Sequence, residues 1–194
     1  MKEERVLTKQ HIFNYEMKYK SRFMSMKNDN DFIITEILLH KPLSLELIDE
    51  ICVDIQYCMG DDFNKVCEFI SDFKDVIDFR CVFSTDYNTF KRVEIEKLTE
   101  LFSDYFDMEI WDYVSKEISY ENIEFLRKFK DKICWCEAPS YIDYDLDVCL
   151  EFKDYINFDK LLFMTDEPND FKEQLSLYMK DHIEEILTYK RKDD

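Results

Sequence analysis

Gly60 is the one glycine in a chain of 194 residues. Phosphate-cradling loops, dinucleotide-binding turns, kinase lids and nucleophile elbows each need several positions without a Cβ, where the backbone takes positive φ or approaches a ligand closely. Those scaffolds are excluded. Proline is nearly as scarce, at Pro42, Pro139 and Pro168. A many-turned β fold needs more of both residues, so the chain reads as all-α, with helices joined by short polar links. An apolar share of 46%, with 16% aromatic, suffices for a core despite the high charge content.

Hydrophobic spacing places the helices. Residues 1–28 suit a helix with Val6, Ile12, Tyr15 and Tyr19 on its apolar face, followed by the polar break MKNDND. FIITEILLH predicts a short apolar helix that stops before Pro42, because the residue preceding proline avoids the α region. Ser44 caps the next helix, whose stripe is Ile48, Ile51, Cys52, Ile55 and Met59. A turn at Gly60 leads to a second stripe of Phe63, Val66, Cys67, Ile70 and Phe73. Further on, Ser119 reads as a cap, with Ile118 and Ile123 as a hydrophobic staple, ahead of Ile123, Leu126, Phe129 and Ile133. The last helix, about 169–190, aligns Phe171, Leu175, Tyr178, His182 and Ile186.

A short phrase recurs: FKDVIDF at 73–79, FKDKICW at 129–135 and FKDYINF at 152–158. In each, the first Phe closes a helical stripe, Lys-Asp is exposed, and the final aromatic is expected to pack back onto the preceding helix. With weaker echoes included, the markers are Tyr57, Phe79, Trp111, Trp135 and Phe158, spaced 22, 32, 24 and 23 residues apart. Such a period predicts stacked short helix pairs in a solenoid-like array with a unit of about 23 residues. The expected organisation is an N-terminal mixed and basic segment at 1–43, a helical repeat region at 44–168, and a C-terminal capping helix and tail at 169–194. FKDKICW, with EIWDYVSKEIS ahead of it, resembles the short FKDKxxW…IS repeats of uncharacterised phage, bacterial and giant-virus proteins. The resemblance covers about residues 45–165 and implies a helical solenoid, with no activity and no site residues to carry over.

Charge is the second constraint. Acidic residues outnumber basic ones 44 to 26, for a formal balance of −18. The first thirty residues hold seven basic and four acidic side chains, a net of +3, which leaves −21 to the rest. That field repels nucleic acid and anionic membrane and attracts basic protein surfaces. The partner-binding residues expected from it are Asp61 and Asp62; Asp104, Tyr105, Asp107, Glu109 and Asp112; and Tyr141, Asp143, Tyr144, Asp145 and Asp147. The tyrosines supply anchors that charge alone lacks.

Sites of chemistry are harder to find. Asp143, Asp145 and Asp147 match the first three ligand positions of an EF-hand loop, with Asp154 at the twelfth. However, Val148 stands where that loop needs glycine, so acids opening a helix are the better account. Seven cysteines occur without a CxxC pair, and nothing near Cys134-Trp135-Cys136 completes a zinc site; all seven read as reduced, mostly buried thiols. His11, His40 and His182 are far apart in sequence. No catalytic, cofactor-binding or metal residue is assigned and no cofactor is expected. No apolar run has the length of a membrane span, and MKEERVLTK lacks the apolar core of a signal peptide, so an intracellular, cytoplasmic protein is expected. The functional expectation is a non-enzymatic acidic protein docking a basic surface of a partner. Its concrete form is a phage or mobile-element inhibitor that imitates nucleic acid toward a defence enzyme. The alternatives are a helical-repeat adaptor that binds a peptide, and a small enzyme whose site assembles only in space.

Overall fold

The computed structural model describes residues 5–26, 39–60, 62–83, 89–119, 121–136, 146–157 and 169–181. The fold is all-α, and no strand occurs among the described residues. It divides into two compact units, Met1–Ile110 and Trp111–Asp194.

The N-terminal unit begins with a helical run, Lys9–Asn14, a π turn at Tyr15–Tyr19, and Lys20–Met26. Thr8 caps the run: its hydroxyl accepts from the His11 N–H while the His11 ring accepts from the Thr8 N–H. The buried face differs from the expected one. Val6 and Ile12 are exposed, and the side chains turned inward are His11, Asn14, Tyr15, Tyr19 and Phe23. Four of these recur every fourth residue, a pattern that drifts around a helix of 3.6 residues per turn. The wider π turn takes up part of that drift and keeps them on one face. They meet the helix Phe63–Phe73, with Tyr19 edge-on to Phe69 at 5.0 Å and Phe23 edge-on at 6.3 Å.

Ser44 caps Leu45–Val53 as expected, accepting from the Leu47 N–H at 3.1 Å. The predicted stripe is wholly buried, but its helix is broken at Asp54 into Leu45–Val53 and Ile55–Met59. Gly60 ends the second piece at φ 63°, in the left-handed region where a Cβ is unfavourable. A Cβ there would find ordinary contact distance to Arg22, so backbone conformation rather than space selects the glycine. Arg22 donates to the Cys58 carbonyl at 2.7 Å, and Arg5 reaches the Val76 carbonyl at 2.6 Å, tying the N-terminal segment to the helices it covers.

The FKD phrase folds the same way wherever it is described. The Phe73 carbonyl accepts from the Val76 and Ile77 N–H groups at 2.8 and 3.0 Å. The Phe129 carbonyl accepts from Lys132 and Ile133 at 2.8 and 3.1 Å, and that of Phe152 from Tyr155 and Ile156 at 2.9 and 3.2 Å. The lysines ending the first two helices share one conformation: φ −51°, ψ −33° at Lys74 and φ −50°, ψ −35° at Lys130. Phe73, Ile77, Phe79, Phe129, Ile133, Trp135, Phe152 and Ile156 are all buried. Each such side chain contributes about 1.5–3 kcal/mol.

Two corrections follow for the aromatic markers. Their rings reach forward along the chain: Phe79 meets Phe102 at 5.9 Å and Tyr105 at 5.5 Å, while Trp135 meets Phe152 at 5.0 Å and Tyr155 at 5.5 Å. Trp111 meets Phe129 at 5.5 Å in the same sense. Tyr57 is 39% exposed and is no plug, because its helix Ile55–Met59 turns Ile55, Cys58 and Met59 inward instead. Phe158 lies outside the described residues.

In the second unit, Asn122 rather than Ser119 caps Ile123–Phe129, accepting from the Phe125 N–H at 3.2 Å. Ser119 accepts from the Glu121 N–H in the turn before it. Ile133 lies beyond that helix, in the turn. The helices Leu146–Glu151 and Asn169–Asp181 follow; His182 and Ile186 lie outside the described residues.

Candidate functional site

The expected partner-binding acids come together on one strip of the first unit, built around the helix Arg92–Phe102, the 3-10 turn Ser103–Tyr105 and the start of the helix Met108–Glu117. Tyr105 is its fixed point. The ring stacks on Phe79 with planes 23° apart, the hydroxyl donates to Asp75 at 3.2 Å, and the Lys74 ammonium lies 5.8 Å from the ring centre. The side chain is nonetheless 39% exposed, so it presents a pre-positioned aromatic surface. Leu101 and Met108, on either side of it in sequence, are 53% and 86% exposed.

Carboxylates surround these apolar groups. Asp104 is exposed in the 3-10 turn. Asp107 accepts from the Ile110 N–H at 3.2 Å, satisfying an open donor of the following helix. Glu109 projects from the first turn of that helix, its carboxylate 3.8 Å from the Arg80 guanidinium. Arg80 is held more tightly by Asp78, at 2.7 Å. The hydrogen bond to Asp78 chiefly raises the affinity of that guanidinium for its proton, and the fields of Asp78, Asp107 and Glu109 add to it. Five carboxylates, Asp75, Asp78, Asp104, Asp107 and Glu109, thus outnumber the cations Lys74 and Arg80 on the strip. Sequence reasoning missed Leu101, Met108 and Arg80. A methionine inside DYFDMEIW was the available signal, since an apolar residue between acids at a helix start has no buried side to face.

The other expected residues are placed differently. Asp62 caps Phe63–Phe73, accepting from the Asn64 N–H at 3.2 Å, and pairs with Lys65 at 3.2 Å; the Lys65 hydrogen bond chiefly lowers its carboxyl below the usual range. Asp112, in the second unit, pairs along its own helix with Lys116 at 2.7 Å. Asp147 stands exposed in the first turn of Leu146–Glu151, where the helix dipole favours an acid. Asp61, Tyr141, Asp143, Tyr144 and Asp145 lie outside the described residues. Tyr113 is half-buried in the helix Met108–Glu117.

Among the described residues no cluster of three or more His, Cys, Asp or Glu side chains is arranged to hold a metal ion. His11 is consumed by its capping bond and its contact with Phe73. The cysteines are less uniform than expected: Cys52, Cys58 and Cys149 are buried, Cys67, Cys81 and Cys134 are half-buried, and Cys136 is exposed. No described helix is long and apolar enough to cross a membrane. No protein-family model, curated protein or solved structure matches this chain.

Proposed function

We propose that this chain is a non-enzymatic docking protein of the cell interior that binds a basic surface of a partner through the Leu101–Glu109 strip. One observation carries the reading: Leu101, Tyr105 and Met108 are exposed side by side in sequence among carboxylates that exceed their local cations. Aromatic and methionine side chains fill pockets on a partner and supply affinity, while the acids around them steer approach and fix register. A basic groove built to hold phosphates is the complementary surface, which makes a nucleic-acid-binding enzyme the partner class. On this reading the chain acts as an inhibitor that occupies such a groove, in the manner of phage or mobile-element proteins.

The recurring FKD turn supports the architectural half of the proposal. Identical turns whose aromatic ring packs on the first Phe of the next segment are what a stack of short helical units needs, since each covers a face that its neighbour cannot bury alone. The period of about 23 residues, the capping role of the last helix and the kinship with FKDKxxW…IS repeats belong to the same proposal.

The test is a pull-down from lysate of the native cell with the immobilised chain, repeated at low and high salt. Capture of a nucleic-acid-binding protein, lost at high salt and lost in Asp104→Lys/Glu109→Lys, supports the reading. Met108→Ala should weaken capture without changing its salt dependence. Capture that is indifferent to salt and to the charge reversals would refute it.

A further inference from the structure

Trp135 is turned into the second unit. Its ring stacks on Phe152, its indole N–H donates to the Lys130 carbonyl at 2.6 Å, and it is 7% exposed. Its own N–H donates to the Ile133 carbonyl at 3.1 Å, and the N–H of Cys134 donates to the Ser115 hydroxyl at 2.8 Å. With the middle residue held inward on both its ring and its backbone, the side chains on either side swing to a common outward face. There the Cys134 and Cys136 sulfurs lie 2.7 Å apart. That is about 0.7 Å longer than a covalent S–S bond. Cys136 is exposed and Cys134 half-buried, so one sulfur is open to an incoming reagent while the other stands behind it.

The first copy of the turn shows that this pairing belongs to the backbone. Asp78 and Arg80 occupy the same two places around Phe79, and their side chains also meet, at 2.7 Å. The N–H of Asp78, like that of Cys134, is taken by a side chain from an earlier helix, here Asp49 at 3.4 Å. One turn therefore brings two alternate side chains together in both copies; in the second copy the pair is chemically reactive.

We propose that Cys134 and Cys136 form a redox-active dithiol that closes to an intramolecular disulfide by exchange with low-molecular-weight disulfides such as glutathione disulfide. The exposed Cys136 loses its proton and attacks one sulfur of the reagent, expelling a glutathione thiolate that takes up a proton. Cys134 then gives up its proton and attacks the Cys136 sulfur, forming the Cys134–Cys136 bond and releasing the second glutathione. Two electrons and two protons pass from the protein to the reagent, which leaves as two thiols. The other cysteines compete poorly. Cys52, Cys58 and Cys149 are buried, and burial pushes the thiols of Cys52, Cys58, Cys67 and Cys81 upward, that of Cys81 to about 11, which keeps them protonated at neutral pH. Because Trp135 lies between the reacting residues, ring closure acts on the aromatic contact that joins this turn to Phe152.

The full-length chain is equilibrated in glutathione buffers of increasing disulfide content, alkylated, and mapped by peptide mass spectrometry. The peptide bearing residues 134–136 should lose the mass of two hydrogens before any other cysteine is modified. Tryptophan emission should change in step and recover on reduction. Cys136→Ser and Cys134→Ser should each abolish that species and the emission change, and Cys81→Ser should leave both intact. Circular dichroism of the serine variants confirms that the fold is retained, which the exposure of position 136 favours. Recovery of Cys134 and Cys136 as free thiols in buffers that oxidise other cysteines, separate glutathione adducts on each, or a disulfide to a different residue would each overturn the proposal.

Discussion

The turns at 73–80 and 129–136 share a backbone but differ in what surrounds it. In both, a phenylalanine carbonyl closes the helix with two N–H groups, and a buried ring follows six residues later. The first copy is backed by ionisable rings, with Tyr19 and His11 each 5.8 Å from Phe73, and it continues into the helix Phe79–Val82 capped by Asp78. The second is backed by Trp111 and Phe125 around Phe129, and it ends in a thiol pair where the first has an ion pair. The lesson is that the carbonyl, the aliphatic residue and the ring specify the turn, while the residues flanking the ring are free to carry different chemistry.

The largest effect should come from removing the rings. Phe79→Ala and Trp135→Ala should each cost about 3–5 kcal/mol, because each leaves a large cavity. Urea unfolding measures both, and a negligible loss for either one would break the equivalence. Next, Ser115→Ala removes the acceptor for the Cys134 N–H, and leaving that donor unsatisfied should cost about 1–3 kcal/mol. The loss should appear in the second unit, as protection of its amides from hydrogen exchange falls.

Tyr15 sharpens the contrast between the two surroundings. Its buried hydroxyl has no hydrogen-bond partner among the described residues, so Tyr15→Phe should stabilise the chain, by up to about 1–2 kcal/mol. Burial first, and then the charge of Glu16, raise this phenol from its ordinary value of 10.0 to about 12. A raised folded value means that the stabilisation is complete below pH 10 and is lost as pH rises toward 12. Alkaline denaturation followed by circular dichroism should therefore be shallower in Tyr15→Phe. The smallest effect is expected for Asp78→Ala, which uncaps a four-residue helix and should cost about 0.5–1 kcal/mol. No cap is lost from the second copy, where a cysteine already stands.

Much of this was legible in advance. Ile48, Ile51, Cys52, Ile55 and Met59 are buried as their spacing predicts, even though Asp54 interrupts the helix, because a one-residue break shifts the backbone less than the width of the apolar stripe. The N-terminal face was misread because period counting assumes 3.6 residues per turn, and the π turn changes that number locally. At the candidate strip, acids and Tyr105 were read from composition, but the exposure of Leu101 and Met108 was not. An apolar letter indicates burial unless the path of the backbone is known. The thiol pair left a trace in the pattern Cys-Trp-Cys: if the indole is inward, its neighbours are outward.

The sequence by itself determined a helical chain with one left-handed position at Gly60, a recurring Phe-Lys-Asp turn and a strong excess of negative charge. These are properties of residue type and local spacing, set by Cβ sterics, periodicity and ionisation. Tertiary structure alone decided which aromatic meets which, that Arg80 sits among the acids of the strip, and that two of seven thiols touch. Those outcomes depend on the directions in which side chains leave the backbone, and a turn of a few residues can reverse them without changing the local pattern that encodes it.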